Sequence, residues 1–144
     1  MKRTLPLILL FILLLSFSGC KKGSDAAYFY SFENEKKGAR IGVVFSDDRK
    51  RLKLLTDMME DCTTELGSPV LSEVEYLIEV VTHDSEGNLT DPSLVYLWFH
   101  EGEVWFSVES KYADKEYTHK SNTVTEKQMT SLIEKLKKEA AKAK

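Results

Sequence analysis

Hydrophobic and polar residues alternate in several segments of this chain, whereas in two other stretches the hydrophobic residues recur with the spacing of a helix. Alternation places successive side chains on opposite faces of a strand, so it predicts β-strands with one buried face. Five segments show the alternation clearly, at 28–32, 40–45, 74–82, 94–100 and 103–110, and a shorter segment shows it at 115–120.

The first helical stretch begins after Ser46, a good N-cap residue, and Asp47 and Asp48 suit the positive end of a helix dipole. Its apolar residues recur three and four positions apart and form one stripe. They are Leu52, Leu55, Met59, Cys62 and Leu66. Gly67 and Pro69 predict the end of the helix.

The second helical stretch begins at Thr125, which forms a capping-box pattern with Gln128. Its apolar stripe consists of Met129, Leu132, Ile133, Leu136 and Ala140. Residues 141–144 are expected to fray. The order ββ-α-ββββ-α predicts an α+β fold for a single domain over residues 28–140, with an antiparallel sheet of about five to six strands and two amphipathic helices.

The two clearest strands predict a hairpin with Glu101 and Gly102 as its two-residue turn. This register places Trp98 opposite Trp105 and divides the side chains between two faces. The face suited to the core carries Val95, Leu97, Phe99, Val104, Phe106 and Val108. The other face carries Tyr96, Trp98, Trp105, Ser107 and Glu109.

If the second face is exposed, Tyr96, Trp98 and Trp105 form an aromatic patch of the kind that marks a partner or ligand surface. These three residues are therefore the candidate binding face. Two alternatives stay open: a helix or the strand at 28–32 covers the rings, or the rings only stabilise the hairpin. A register shift of one residue would exchange the two faces.

The first 19 residues have the layout of a secretory signal peptide. Lys2 and Arg3 precede an apolar run at 5–17, and the small residues Ser18 and Gly19 follow it. The run is shorter than the ~20 residues that a helix needs to cross a bilayer. We therefore expect a removable signal segment.

A cysteine at the exit of this segment resembles the lipobox of bacterial lipoprotein precursors. The matching residues are Phe17, Ser18, Gly19 and Cys20, with Phe17 where the family usually has Leu. The resemblance implies cleavage between Gly19 and Cys20, a diacylglyceryl group on the Cys20 thiol and an acylated α-amine. Alternatives are an ordinary secreted protein or an uncleaved anchor.

The same resemblance implies a place for the mature chain. Its partner would be a membrane, held through the N-terminal lipid, and residues 20–27 would be the lipidated cysteine and a flexible tether. Lys21 is not the Asp that resembles an inner-membrane retention signal, so a cell with two membranes would send the protein to the outer one. The element order over residues 40–138 is also similar to small uncharacterised lipoproteins of bacterial envelopes.

Composition limits the chemistry of the mature chain. Without residues 1–19 the chain has 125 residues, with 18 basic and 23 acidic side chains, and this acidic balance argues against nucleic acid as a partner. Once Cys20 is lipidated, Cys62 has no partner for an internal disulfide or a cysteine-based zinc site. The three histidines show no H-x-x-x-H spacing, and the acidic loop at 84–88 lacks the pattern of a calcium loop. We expect no metal and no cofactor.

The remaining sequence has no recognisable nucleophile or phosphate-loop motif. The leading expectation is a lipid-anchored envelope protein that acts as a non-catalytic binding or interaction module for an envelope protein, a ligand or a toxin. The alternative is an envelope hydrolase or an inhibitor of one. A structural component without a small ligand is a third possibility.

Overall fold

Seven antiparallel strands form one sheet in the part of the chain that the computed structural model describes, residues 25–110 and 116–143. The strands are β1 Ala26–Glu33, β2 Lys36–Phe45, β3 Cys62–Leu66, β4 Tyr76–Val81, β5 Ser93–His100, β6 Glu103–Glu109 and β7 Tyr117–Thr125. Their spatial order is β2-β1-β4-β5-β6-β7-β3. The helices are α1 Arg49–Glu60 and α2 Glu126–Lys142, and a short 3₁₀ turn covers Leu71–Glu73. The predicted α+β class with an antiparallel sheet and two helices is confirmed.

The sheet has one strand more than the five to six that we predicted, because the first helical stretch was predicted too long. Helix α1 ends before Asp61, whose backbone is extended at φ −117° and ψ 90°, and the next five residues pair with β7 as an edge strand. Thr63 and Thr64 favour a strand because they are β-branched. Leu66, the last residue of the predicted helical stripe, is 79% exposed. The N-cap is Asp48 rather than Ser46.

Other boundaries shift by a few residues. Asn34 and Glu35 form the first hairpin turn, with φ of 53° and 60°, so both flanking strands are longer than predicted. Strand β1 begins at Ala26 and Asp25 is buried, which moves residues 25–27 from the predicted tether into the domain. The capping box at Thr125 is confirmed, and α2 continues to Lys142, into the segment predicted to fray.

The two helices pack on one face of the sheet and bury the main core. Helix α2 contacts both β2 and β7, although four strands lie between them, so the sheet curls around the helices. The helix layer approaches the sheet closely at Gly42 of β2, where a Cβ would lie 2.8 Å from the Cβ of Leu136. The apolar residues that the helices contribute are Leu52, Leu55, Met58, Met59, Met129, Leu132, Ile133 and Leu136.

The register fixes the direction of each element. Ala26, at the start of β1, pairs with Phe45, at the end of β2, and we call this end of the sheet the proximal end. Helix α1 begins there, and α2 begins at the opposite, distal end because it follows the last residue of β7, which pairs with Glu103. The helices are therefore antiparallel. No helix within the described residues is long and apolar enough to cross a membrane.

Candidate functional site

The predicted aromatic face lies on the side of the sheet away from the helices. Trp98 and Trp105 are direct cross-strand partners, and their rings stack with centroids 6.5 Å apart. Tyr96 belongs to the same apolar cluster. The register that the sequence predicted, and the grouping of these three residues, are therefore present.

This face is more buried than a free aromatic patch. Tyr96 and Trp98 are each 7% exposed, and Trp105 is half-buried. Phe32, Val74 and Leu77 complete the buried part of the cluster. The aromatic rings are thus covered partly by the first strand, which was one of the predicted alternatives, and partly by the segment that leads into β4.

Two polar groups on this face are distinctive. The hydroxyl of Tyr96 donates a hydrogen bond to Oε1 of Glu109 at 2.9 Å, and burial together with that carboxylate raises the pKa of Tyr96 to about 12. The indole N–H of Trp105 is buried and has no hydrogen-bond partner among the described residues. An unpaired buried donor is costly, so an acceptor placed there would stabilise the face.

Cations border the aromatic face on the side of β2. The Nζ of Lys37 lies 4.6 Å from the ring centre of Tyr30, and the guanidinium of Arg40 lies 5.2 Å from that of Tyr28. Such contacts hold the aliphatic stems of the basic residues against the rings. They also place positive charge on an edge strand, which discourages pairing with a further strand.

A groove between the two helices is another candidate site. Its volume is about 880 Å³, which is within the range of small-molecule sites. The lining comes from the first half of α1 and from most of α2. The residues are Asp48, Lys50, Arg51, Leu54, Lys127, Gln128, Ser131, Leu132, Lys135 and Glu139.

The lining combines positive charge with apolar surface. Four of its side chains are cationic and two are anionic, in a chain whose overall charge is negative. Leu54 and Leu132 supply the apolar part, while Gln128 and Ser131 supply neutral hydrogen-bonding groups. This arrangement suits a ligand with an anionic group beside an apolar body.

One ion pair bridges the groove near the proximal end. The guanidinium of Arg51 donates to both carboxylate oxygens of Glu139, with the Nη1–Oε1 distance at 2.9 Å. The same hydrogen bond lowers the pKa of Glu139, with a smaller contribution from the charges of Arg51, Lys142 and Lys135. Because this pair occupies Arg51, the lysines are the cations left to meet a ligand.

Sequence reasoning did not identify this groove. The sequence feature that could have indicated the groove is a run at 49–53, at the start of the first helix, where four of five residues are basic. Such a run is equally typical of a solvent-exposed helix face. Only the antiparallel arrangement of the helices brings it opposite Lys127 and Lys135.

A buried polar chain lies at the edge of the sheet between β3 and β7. Nδ1 of His119 is 2.8 Å from Oγ1 of Thr64, and its ring stacks on Phe106. Burial lowers the pKa of His119 to about 4. Burial also raises the pKa of the Cys62 thiol, although its hydrogen bond with Thr64 acts in the opposite direction. A neutral imidazole and a protonated thiol are suited to packing.

A second histidine is paired at the proximal end. Oδ1 of Asp25 accepts a hydrogen bond from the backbone N–H of His83 at 2.9 Å and lies 3.0 Å from its Nδ1. Asp25 is 5% exposed. A carboxylate on Nδ1 fixes the orientation of the ring and leaves Nε2 for other contacts.

The remaining predicted positions lie outside both candidate surfaces or outside the described residues. Cys20 and Gly19, the predicted lipidation and cleavage positions, lie outside the described residues. His100 is exposed and lies near Glu101. Within residues 25–110 and 116–143, no group of three His, Cys, Asp or Glu residues could hold a metal ion. Comparisons with protein-family models, curated proteins and solved structures found no match to this chain.

Proposed function

We propose that this protein is a lipid-anchored, non-catalytic binding module of the bacterial envelope, and that the groove between α1 and α2 is its binding site. The observation that carries the proposal is the groove itself. It combines about 880 Å³ of space with cationic side chains and an apolar floor. Its ligand carries an anionic group beside an apolar body, either as a small molecule or as part of another envelope protein.

The anchor rests on the residues around Cys20. A lipoprotein precursor would be cleaved before Cys20 and would carry two or three acyl chains, which hold a protein firmly where a single chain gives marginal binding. Metabolic labelling with radioactive palmitate tests this step. Cys20→Ala should lose the label and leave the chain unprocessed, whereas Cys62→Ala should keep both the label and the processing. A Cys20→Ala chain that is processed and membrane-bound like the wild type contradicts the anchor.

The groove can be tested with naphthalene-2-sulfonate, a sulfonate on an apolar ring system. The ¹⁵N-labelled lipidated chain in uncharged detergent is titrated while amide chemical shifts are followed. Shifts should concentrate on residues of α1 and α2 that line the groove. Reversing two groove charges, Lys127→Glu with Lys135→Glu, should weaken binding about tenfold or more, because each reversal replaces attraction by repulsion.

Two matched variants sharpen this result. Glu139→Gln removes a carboxylate from the lining and should strengthen binding of the sulfonate a few-fold. Lys36→Glu with Lys37→Glu makes the same charge change at the distal hairpin, outside the groove, and should leave binding unchanged. Equal weakening by the hairpin and groove pairs would show that only the overall charge matters and would contradict the groove as the site.

The aromatic face is the second candidate contact surface. The indole N–H of Trp105 favours it, since this donor has no acceptor within residues 25–110 and 116–143 and a partner could supply one. Pull-down from membranes with Trp105→Phe tests this, because Phe keeps an apolar ring but lacks the donor. A partner lost with Trp105→Phe and kept with Lys127→Glu would move the contact from the groove to this face.

One observation favours the alternative of an envelope hydrolase. The Asp25–His83 pair has the geometry that orients an imidazole as a general base. Assays against cell-wall polymers and envelope esters test it with Asp25→Asn and His83→Ala. Hydrolysis by the wild-type chain that both variants abolish, with unchanged folding, would replace the binding module by the hydrolase.

A further inference from the structure

Unpaired basic side chains gather where the two helices meet at the proximal end. Arg49 and Lys50 begin α1, and Lys138 and Lys142 lie in the last turns of α2. All four are exposed, and no ion pair or hydrogen bond joins them to a described residue. The Arg51–Glu139 bond holds the two helix ends together, so these four cations form one surface, the basic end.

The charge at the distal end is of the opposite sign. Its exposed or partly exposed acidic residues include Glu33, Glu35, Glu73, Glu75, Glu101, Glu103 and Glu126. Burial raises the pKa of Glu75, and the negative charge of Glu126 adds a smaller effect in the same direction. The basic end and these acidic residues therefore lie at opposite ends of the domain, in a chain that is acidic overall.

The basic end lies where the chain enters the domain. The backbone N–H of Ser46, three residues before α1, donates a hydrogen bond to the carbonyl of Asp25 at 3.0 Å. Only residues 21–24 separate Asp25 from Cys20. At ~3.5 Å per residue, these links reach at most ~18 Å. A lipid on Cys20 would therefore hold the basic end within reach of the headgroups.

We propose that the basic end docks on anionic headgroups of the membrane that holds the lipid anchor. The inference rests on the proposed anchor at Cys20. Lysines and arginines held near a negative bilayer surface are attracted to it, and the attraction falls off within a Debye length. The short connection lets these cations come within that distance of the bilayer surface, whereas the acidic distal end lies at the opposite end of the sheet.

Docking also tilts the domain relative to the membrane. The loop between β4 and β5 lies at the proximal end too, and it carries Asp84, Glu86 and Asp91. This loop extends from the sheet itself, whereas the basic end belongs to the helices, which cover one face of that sheet. The anionic headgroups repel the acidic loop and attract the basic end, and this difference turns the helix layer toward the bilayer.

The experiment measures the acetylation rate of individual lysines in the full lipidated protein, reconstituted into vesicles. One set of vesicles is pure phosphatidylcholine, and the other contains about 30% phosphatidylglycerol, enough to give a strongly negative surface. Acetylation of Lys50, Lys138 and Lys142 should be about threefold slower or more on the anionic vesicles. Lys36 and Lys127, on the distal side, should react equally on both. Salt at about 0.5 M should remove the protection, because the Debye length is then below ~5 Å.

A matched variant separates docking from ligand binding. Arg49→Glu with Lys138→Glu and Lys142→Glu changes no residue that lines the groove and should abolish the protection of Lys50. The intact mass of each sample reports the lipid. Equal rates on both vesicles, or equal slowing of every lysine, in a lipidated chain overturn the docking alone. A chain without lipid overturns the anchor and the docking with it.

Discussion

Trp98 on β5 and Trp105 on β6 face each other across the sheet, with ring planes inclined by 19° and centroids 6.5 Å apart. The two rings differ in exposure, since Trp98 is 7% exposed and Trp105 is half-buried. A cross-strand aromatic pair stabilises a hairpin by about 0.2–1 kcal/mol. Burial of Trp98 makes a larger contribution, because it removes a whole indole from water.

The unequal burial predicts unequal costs of truncation. Trp98→Ala should lower the free energy of unfolding by about 3 kcal/mol or more, and Trp105→Ala should lower it less. Urea denaturation followed by circular dichroism measures both. Leu89→Ala is a control at a side chain that is 68% exposed, and it should change stability by less than about 0.5 kcal/mol. A Trp98→Ala variant as stable as this control would contradict the burial of the ring.

Two glycines of β2 predict another unequal pair. Gly42→Ala should lower the free energy of unfolding by about 1–3 kcal/mol, because the new Cβ would lie 2.8 Å from the Cβ of Leu136, an atom that cannot rotate away. Gly38→Ala should cost less, since its nearest atom is the hydroxyl oxygen of Ser31, which can turn to another rotamer. Thermal unfolding of the two variants compares them directly. Equal costs would show that α2 does not pack on β2 at this distance.

His119 predicts a loss of stability in acid. Its pKa is about 4 in the folded chain against an ordinary value of 6.5, so between these values the unfolded chain binds more protons. The stabilisation is therefore complete above pH 6.5 and is lost as the pH falls toward 4, by about 3 kcal/mol. Urea midpoints measured from pH 7 to pH 4 should show this fall.

The control for this prediction is another histidine. His119→Gln cannot titrate and should flatten the pH dependence over that range, whereas His100→Gln should not, because the side chain of His100 is 67% exposed. If the pH dependence of stability disappears with His100→Gln and persists with His119→Gln, the assignment of the effect to His119 is contradicted.

Thiol counting tests the state of both cysteines. In the native chain Cys62 should react with a chromogenic disulfide reagent many times more slowly than a free cysteine does, because burial raises its pKa and the thiolate is the reactive form. In urea one thiol should react at once. Two reactive thiols in protein taken from membranes would show that Cys20 carries no lipid.

The hairpin and the second helix followed from local patterns. The turn at Glu101 and Gly102 has positive φ at both residues, 51° and 81°, as a two-residue hairpin requires, and the capping box at Thr125 needs only residues three apart. Strand β3 could not be found in this way. Its sequence continues a helical stripe, and it becomes a strand because β7, more than 50 residues later, offers its edge.

The groove was beyond sequence reasoning for a related reason. Lys50 and Lys135 face one space only because the helices run antiparallel on a curled sheet, and that depends on the strand order. The aromatic pair, by contrast, needed only the register of one hairpin. Features that depend on local sequence patterns could be predicted, whereas features that depend on pairing between distant strands could not.

Strand β1 enters the sheet directly after Asp25 and is hydrogen-bonded on both sides, to β2 and to β4. A pull on the N-terminus along the strand would load these two ladders of hydrogen bonds in shear, so that many bonds share the force at once. A terminal edge strand would instead peel away one bond at a time. A pull from a membrane anchor on the N-terminus would therefore be resisted by both ladders together.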